Sequence, residues 1–495
     1  MIGAAATWDR PVPTRMWVVL GVVAAVAFLV SAALPDGSAL RWGFAIVLGA
    51  ELAYLGWVAP RQSIFVIFGW LIVLGTARRL VSWYAVDLRG DPLLLVGPAG
   101  LATLSVQSWR AGAFRRWSVL SVLVASLSVV ALLEVFNTRQ GSVKAGAVGL
   151  LFWLVPMLWF WVGRAFADRR LIRATFWLFA AGGVASACYG LVQASVGFPP
   201  WDDQWIRDHG YAALFIGDPS RGGSRPFAFS SSAVEYGLAV ALGLFLVALF
   251  LVSAFRRRDR ILTVVLVVCA ALCVAALAVS GVRTAVVTLF VAVLACVVIR
   301  LRPSVPVVLG VLAVIVLSYG ALWVVNADSW SGDGTVGSMK RIVVGLRSPF
   351  NESDSSLPHH LTLAGHGFQR GWREPLGMGT GSTHSGDGGY ATFVQETEFD
   401  VSNGGVAFGI LGIALTGAIV LWSLGIAGAR AWRRPDLVHL ATFGLLIISF
   451  RFWWNGGHYA LAPFLWFVLG WVDAAGPRPR GRSHARVPSY AAAQS

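Results

Sequence analysis

Runs of apolar residues about 17–25 long, the length a helix needs to cross roughly 30 Å of hydrocarbon, follow one another through this chain and decide what it can become. Hydrocarbon offers no water to unpaired backbone N–H and C=O groups, so each run must close its hydrogen bonds internally as a helix. The expected spans are 16–34, 39–58, 62–77, 92–108, 118–137, 143–163, 175–197, 233–254, 261–280, 284–300, 306–326, 404–428, 437–452 and 459–473. Composition agrees, since 57% of the 495 residues are hydrophobic and 13% are charged, where a soluble domain carries about 25% charged residues. The mean hydropathy is +0.70. The expected fold class is an all-α polytopic membrane protein with about 12–14 transmembrane helices, and the lipid bilayer is its first partner.

A net charge of +15 would suggest nucleic acid as a partner of a soluble chain. Here the arginines gather in short loops between apolar runs, which makes them topology signals, and no nucleic-acid partner is expected. With the N-terminus inside, Arg61, Arg110, Arg115, Arg116, Arg164, Arg169, Arg170, Arg173, Arg256, Arg257, Arg258, Arg260, Arg300, Arg302, Arg430, Arg433 and Arg434 all become cytoplasmic. Both termini then lie in the cytoplasm, and the first run reads as a helix rather than a removed signal peptide. Residues 1–326 form a transmembrane bundle with an outer loop at 198–232, and residues 327–403 form one large extracytoplasmic loop. Residues 404–473 form the C-terminal transmembrane helices, and 474–495 a basic, disordered cytoplasmic tail drawn to the lipid surface. Cys188, Cys269, Cys273 and Cys296 all fall inside apolar runs, so neither a disulfide framework nor a metal site is expected.

Loops longer than about 12–15 residues are usually functional or disordered. The 327–403 loop mixes Trp330, Phe350, Phe368, Trp372, Tyr390 and Phe393 with its polar residues, which favours a folded element. The assigned topology brings three separated segments to one outer face: Arg221-Gly-Gly-Ser-Arg225-Pro-Phe-Ala-Phe-Ser230, the tight turn Ser280-Gly-Val-Arg283, and the large loop. A guanidinium at the lip of a span is costly unless solvated or paired with an anion. Arginine forks match phosphate oxygens, so Arg225, Arg283 and Arg221 point to a pyrophosphate at the membrane surface. A lipid carrier offers that group at this depth, joined to a sugar that an acceptor hydroxyl can attack. The loop supplies Glu396, Glu398, Asp400, His366 and His384 as candidate bases, with His359 and His360 further back. Gly377-Met-Gly-Thr-Gly381 lacks the strand-to-helix setting of a phosphate cradle and reads as a tight turn.

Taken together, Arg225-Pro-Phe-Ala-Phe-Ser230, Ser280-Gly-Val-Arg283, Pro375-Leu-Gly-Met-Gly379, Gly409-Ile-Leu-Gly412 and Tyr189-Gly-Leu-Val-Gln193 resemble the O-antigen ligase and O-antigen polymerase superfamily, over about residues 143–430. The resemblance implies a metal-independent, inverting glycosyltransferase with a GT-C-like fold and no cofactor. It would move a glycan from a polyprenyl-diphosphate-linked oligosaccharide onto a glycan or lipid acceptor at the outer face of the cytoplasmic membrane, with Arg225 and Arg283 on the pyrophosphate. Ligases of that family carry a histidine eleven residues before the Gly-Ile-x-Gly motif, where this chain has Glu398. A carboxylate can take the acceptor proton if its surroundings raise its pKa, and the change favours a polymerase or another acceptor. The rival reading is a transporter or flippase for a lipid-linked glycan or other anionic amphiphile, although transporters tend to keep ionisable groups near the midplane. A third is a structural or sensory protein whose outer loop binds cell-wall material without chemistry.

Overall fold

A computed structural model describes residues 13–32, 37–84, 91–209, 225–330, 335–351, 355–383, 394–395, 397, 399–454 and 459–475. Among the described residues the regular structure is helical and there is no strand. In chain order the helices are α1 (Thr14–Ala32), α2 (Gly37–Val58), α3 (Pro60–Tyr84), α4 (Val96–Arg110), α5 (Val119–Glu134), α6 (Val143–Phe166), α7 (Arg169–Val196) and α8 (Pro200–His209). They continue as α9 (Ala233–Arg256), α10 (Arg260–Ser280), α11 (Arg283–Leu301), α12 (Val305–Val324), α13 (Thr335–Arg347), α14 (Leu357–Arg373), α15 (Asp400–Arg433), α16 (Leu437–Ile448) and α17 (Leu461–Ala474).

Nine of the described helices are long and apolar enough to cross a membrane: α2, α3, α6, α7, α9, α10, α11, α12 and α15. The shorter apolar helices are α5, α16 and α17. The chain is a multi-pass membrane protein, and a helix lies over every expected span. Several boundaries move by a few residues, α7 for example starting at Arg169 rather than at 175, and two of the shifts bear on the site. α3 runs on to Tyr84 and takes Arg78 and Arg79 into the helix, and α15 begins at Asp400 rather than at 404. The expected 327–403 loop contains α13 and α14, and the basic tail from 476 onward lies outside the described residues.

The helix starts follow from local chemistry. Ser118, Ser142, Asp168, Ser232, Asp259 and Asp436 each accept a backbone N–H of the following turn, which satisfies a donor that has no partner within its helix. The core is built around α17, which is buried on every side from Leu461 to Val472. It lies backbone to backbone with α6: a Cβ on Gly163 would stand 2.0 Å from the Phe467 carbonyl, and one on Gly470 would stand 2.0 Å from that of Phe160. Such small-residue contacts replace the hydrophobic drive that lipid cannot supply. Phe68 packs into the same core against Trp159, Phe179, Phe464 and Phe467. α12 is the opposite case, with no buried residue and with α11 and α13 as its neighbours.

The polar contacts sort to two ends of the bundle. At one end Arg61 pairs with Asp168, Arg164 with Asp473, Arg169 with Asp436, and Ser118 donates to Asp473. At the other, Arg79 pairs with Asp202, Arg78 with Asp91, Arg139 with Glu374, and Thr380 donates to the Gly146 carbonyl. The arginine-rich turns assigned to one side by charge therefore do share an end, and Arg225, the α10–α11 turn, α13 and α14 share the other.

Candidate functional site

The segment after residue 224 is locked before it reaches α9. Gln193 Oε1 accepts the N–H groups of Phe227 and Ala228 at 3.0 and 2.8 Å, and its amide donates to Asp202 at 2.7 Å. Asp202 also accepts from Tyr189 and forms a 2.6 Å ion pair with Arg79, both partners being fully buried. Arg79 in turn donates to the carbonyls of Ser230, at 2.5 Å, and Ala228. An unpaired charge at this depth would cost several kcal/mol, so the pair is held together by its surroundings. Tyr189 and Gln193, read from the sequence as one motif, thus fix the backbone that carries Arg225. On the far side Glu235 accepts from Ser231 N–H at 2.8 Å and from Tyr459 N–H at 3.1 Å.

Arg225 itself is 6% exposed and lies along the α10–α11 turn. Gly281 there has φ +67°, and a Cβ on it would come within 3.1 Å of Arg225 Cδ and 3.5 Å of Ser338 Cβ. Glycine is needed at such a φ, and here it also leaves room for the arginine stem. Ser280 Oγ accepts the Val282 N–H at 3.2 Å and closes the turn. α11 then starts at Arg283 with no side chain capping its first turn, so its N–H groups add positive potential at this point. Arg283 reaches out of the turn towards α13 and α14. Gly345 of α13 leaves space for its guanidinium, Nη2 donates to Ser356 Oγ at 3.0 Å, and Ser356 Oγ lies 3.1 Å from His360 Nε2.

A third guanidinium completes the group. Arg341 of α13 acts on both Arg225 and Arg283, and burial disfavours its own charge. Burial, with the charges of Arg341 and Arg283 added, pushes Arg225 down to about 10. Arg451 stands close by: it donates to Thr284 at 3.3 Å and lies 5.0 Å over the rings of Phe399 and Phe452. The arrangement is a cluster of guanidinium groups at the start of a helix, suited to a multiply charged anion rather than to a single carboxylate.

The expected base residues fare differently. Asp400 is 4% exposed, and its Oδ2 accepts the N–H groups of Trp453 and of Trp454, the latter at 2.8 Å. That carboxylate ties the start of α15 to the turn carrying Arg451, so its placement is that of a tether and not of a base open to an acceptor. His366 and His359 are exposed on α14, while His360 alone of the described histidines reaches the arginine group, through Ser356. Arg221, His384, Glu396 and Glu398 lie outside the described residues. Between the two glutamates in sequence, Thr397 is buried, with its N–H and hydroxyl donating to Asn403 at 2.9 and 2.8 Å. Among the described residues no group of His, Cys, Asp and Glu side chains gathers as a set of metal ligands.

The remaining two motifs meet each other. The helical path of α15 breaks at Gly409, with φ +64° and ψ −144°. A break frees carbonyls upstream and an N–H downstream, and these need partners. Met378 and Gly379 donate to Val406 and Ala407 at 2.9 and 3.0 Å, and Ile410 donates to Pro375 at 3.2 Å. Pro375-Leu-Gly-Met-Gly379 is therefore the strip that heals the break, and it is tied to the α5–α6 turn by Asn137 and Gln140. Sequence reasoning missed Arg79, Asp202, Arg341 and Arg451. For Arg341 the available signal was a basic residue in the large loop, of the same kind as those that were weighed. No protein-family model, curated protein or solved structure matches the chain.

Proposed function

We propose that the protein is a membrane glycosyltransferase that transfers or polymerises a glycan from a polyprenyl-diphosphate-linked donor onto an acceptor hydroxyl, in the manner of the O-antigen ligase and polymerase superfamily. The observation that carries the reading is the convergence of Arg225, Arg283 and Arg341 from three separate segments into one half-buried group at one end of a membrane bundle. A diphosphate turns their mutual repulsion into attraction, and their planar forks match its oxygens. By the positive-inside rule this end faces outward and both termini are cytoplasmic.

In the transfer, the acceptor oxygen forms a bond to the anomeric carbon with inversion, while the bond from that carbon to the diphosphate oxygen breaks. The electron pair leaves with polyprenyl diphosphate, whose growing charge the guanidinium groups stabilise. The hydroxyl proton passes to a base, and Glu398 is the residue assigned. His360, linked to Arg283 through Ser356, and His384 stand in reserve.

The test is turnover of a polyprenyl-diphosphate glycan by the purified full chain in lipid nanodiscs. Arg283→Lys keeps the charge and loses the fork, and the expected loss is about 10²-fold or more. Turnover near wild type in that variant overturns the diphosphate clamp. Retained turnover in Glu398→Gln would remove only the base assignment.

A further inference from the structure

The end of the bundle opposite the arginine group has a pocket of its own. α4 ends at Arg110, and the chain then turns through Gly112 at φ +80°. Ala111 donates to the Gln107 carbonyl at 2.8 Å, Gly112 to Trp109 at 2.9 Å and Ala113 to Ser108 at 3.0 Å, a helix ending that needs a left-handed residue. Arg115 folds back over that glycine, so that a Cβ on Gly112 would meet Arg115 Cδ at 2.9 Å. Trp109, Arg110, Gly112, Phe114 and Arg115 line an open pocket of about 470 Å³.

The chemistry of the lining is mixed in a particular way. No acidic side chain is among these residues, and two of the five carry a guanidinium. Arg110 lies 4.3 Å over the ring of Trp57, which fixes its direction. Phe114 stacks on Trp161 at 4.1 Å and forms a rigid wall. Trp109, Trp117 and Trp57 are 68%, 58% and 46% exposed, a density of bare indole that a water-facing surface would not tolerate cheaply. Indole rings collect at the level of lipid headgroups, and arginines near helix ends extend to the same level.

We infer that this pocket binds an anionic phospholipid by its phosphate, with Arg110 and Arg115 on the phosphate oxygens and Trp109 against the glycerol and upper acyl chain. A free phosphate would satisfy the guanidinium groups but would leave the tryptophans without a role, so the lipid is the source. A ring of arginines acting only as a topology signal would hold every anionic lipid loosely and none at a place. Basic pockets of this kind beside membrane helices are suited to lipid headgroups.

The experiment uses the full chain in detergent, with native mass spectrometry after addition of phosphatidylglycerol or of phosphatidylcholine with the same acyl chains. Phosphatidylglycerol is expected to be retained at least about tenfold better by the wild type, and each of Arg110→Gln and Arg115→Gln should cut that retention about fivefold. Arg207→Gln, at the far end and equally exposed, should leave it unchanged. Both pocket arginines are exposed, and Arg110→Lys with Arg115→Lys, which keeps the charge, should restore most of the retention. Equal retention of the two lipids, full retention by the double glutamine variant, or displacement of phosphatidylglycerol by an equal concentration of soluble glycerol 3-phosphate would each overturn the inference.

Discussion

Guanidinium groups crowded as Arg225, Arg283 and Arg341 are repel one another, and an anion removes that repulsion. Arg341→Gln should therefore make the protein sturdier and the site worse. Its melting midpoint without added ligand is expected to rise by about 2 °C, while the further rise produced by inorganic pyrophosphate in the wild type should be lost. A purely structural Arg341 would lower the first value and leave the second alone. The pH dependence has a definite sign. Arg225 sits at about 10, below its ordinary 12.5, so its protonated form is disfavoured by folding. The cost to stability is present below about 10 and fades as pH rises past it, whereas pyrophosphate binding needs the protonated form and fades over the same interval. Melting midpoints with and without pyrophosphate across that interval should converge. Arg283 was legible because it borders an apolar run, where a charge is conspicuous, and Arg225 because the assigned topology brings its loop to the same outer face. Arg341 sits in a polar stretch next to Lys340, where a basic residue is ordinary, and only the fold of α13 over the α10–α11 turn gives it meaning.

Among the elements, α15 shows how a motif can be visible and its purpose hidden. Gly409-Ile-Leu-Gly412 stands out in the sequence as a motif inside the expected 404–428 span, yet it is a break: a Cβ on Gly409 would stand 2.0 Å from the Pro375 carbonyl, and one on Gly412 would stand 1.9 Å from that of Gly404. Gly409→Ala should lower stability by at least about 2 kcal/mol, from backbone strain and that clash together. Gly425→Ala on the same helix, where nothing lies within 4 Å, should be neutral or slightly stabilising. Thermal unfolding of the two variants in one detergent checks the contrast, and equal effects would remove the special status of the break. The same limit applies to Asp400. An acid three residues into a polar approach to a span looks like a candidate base, and only the distant turn at Trp453 and Trp454 reveals it as a tether.

For the whole molecule, hydrophobic run length was enough to locate the apolar helices, because hydrocarbon leaves a segment no other way to satisfy its backbone, whereas the polar α8, α13 and α14 fall in segments expected as loops. Charge was enough to sort the turns into two sets, and the polar contacts keep those sets apart. What run length does not contain is who neighbours whom: Arg78 bonds to Tyr459 across 381 residues, and Ser118 to Asp473 across 355. The sidedness itself is testable. In a cysteine-free background, Asp203→Cys on α8 should react with an impermeant maleimide on intact cells, and Arg257→Cys after α9 only once the membrane is opened. The reverse pattern would turn the Arg225 group inward and take the proposed donor chemistry with it.

α17 is buried on every side and is also the last of the described helices in chain order. During synthesis, α3, α6, α7 and α9 enter the membrane long before the helix that fills the space among them, and Glu235 waits for Tyr459 before the Arg225 segment gains its second support. A ribosome that stalls before residue 459 leaves a chain with most of its spans in place and its centre hollow. The Arg225 segment therefore rests on the Gln193 and Arg79 side alone until residue 459 has been made, and gains its second brace only as α17 arrives.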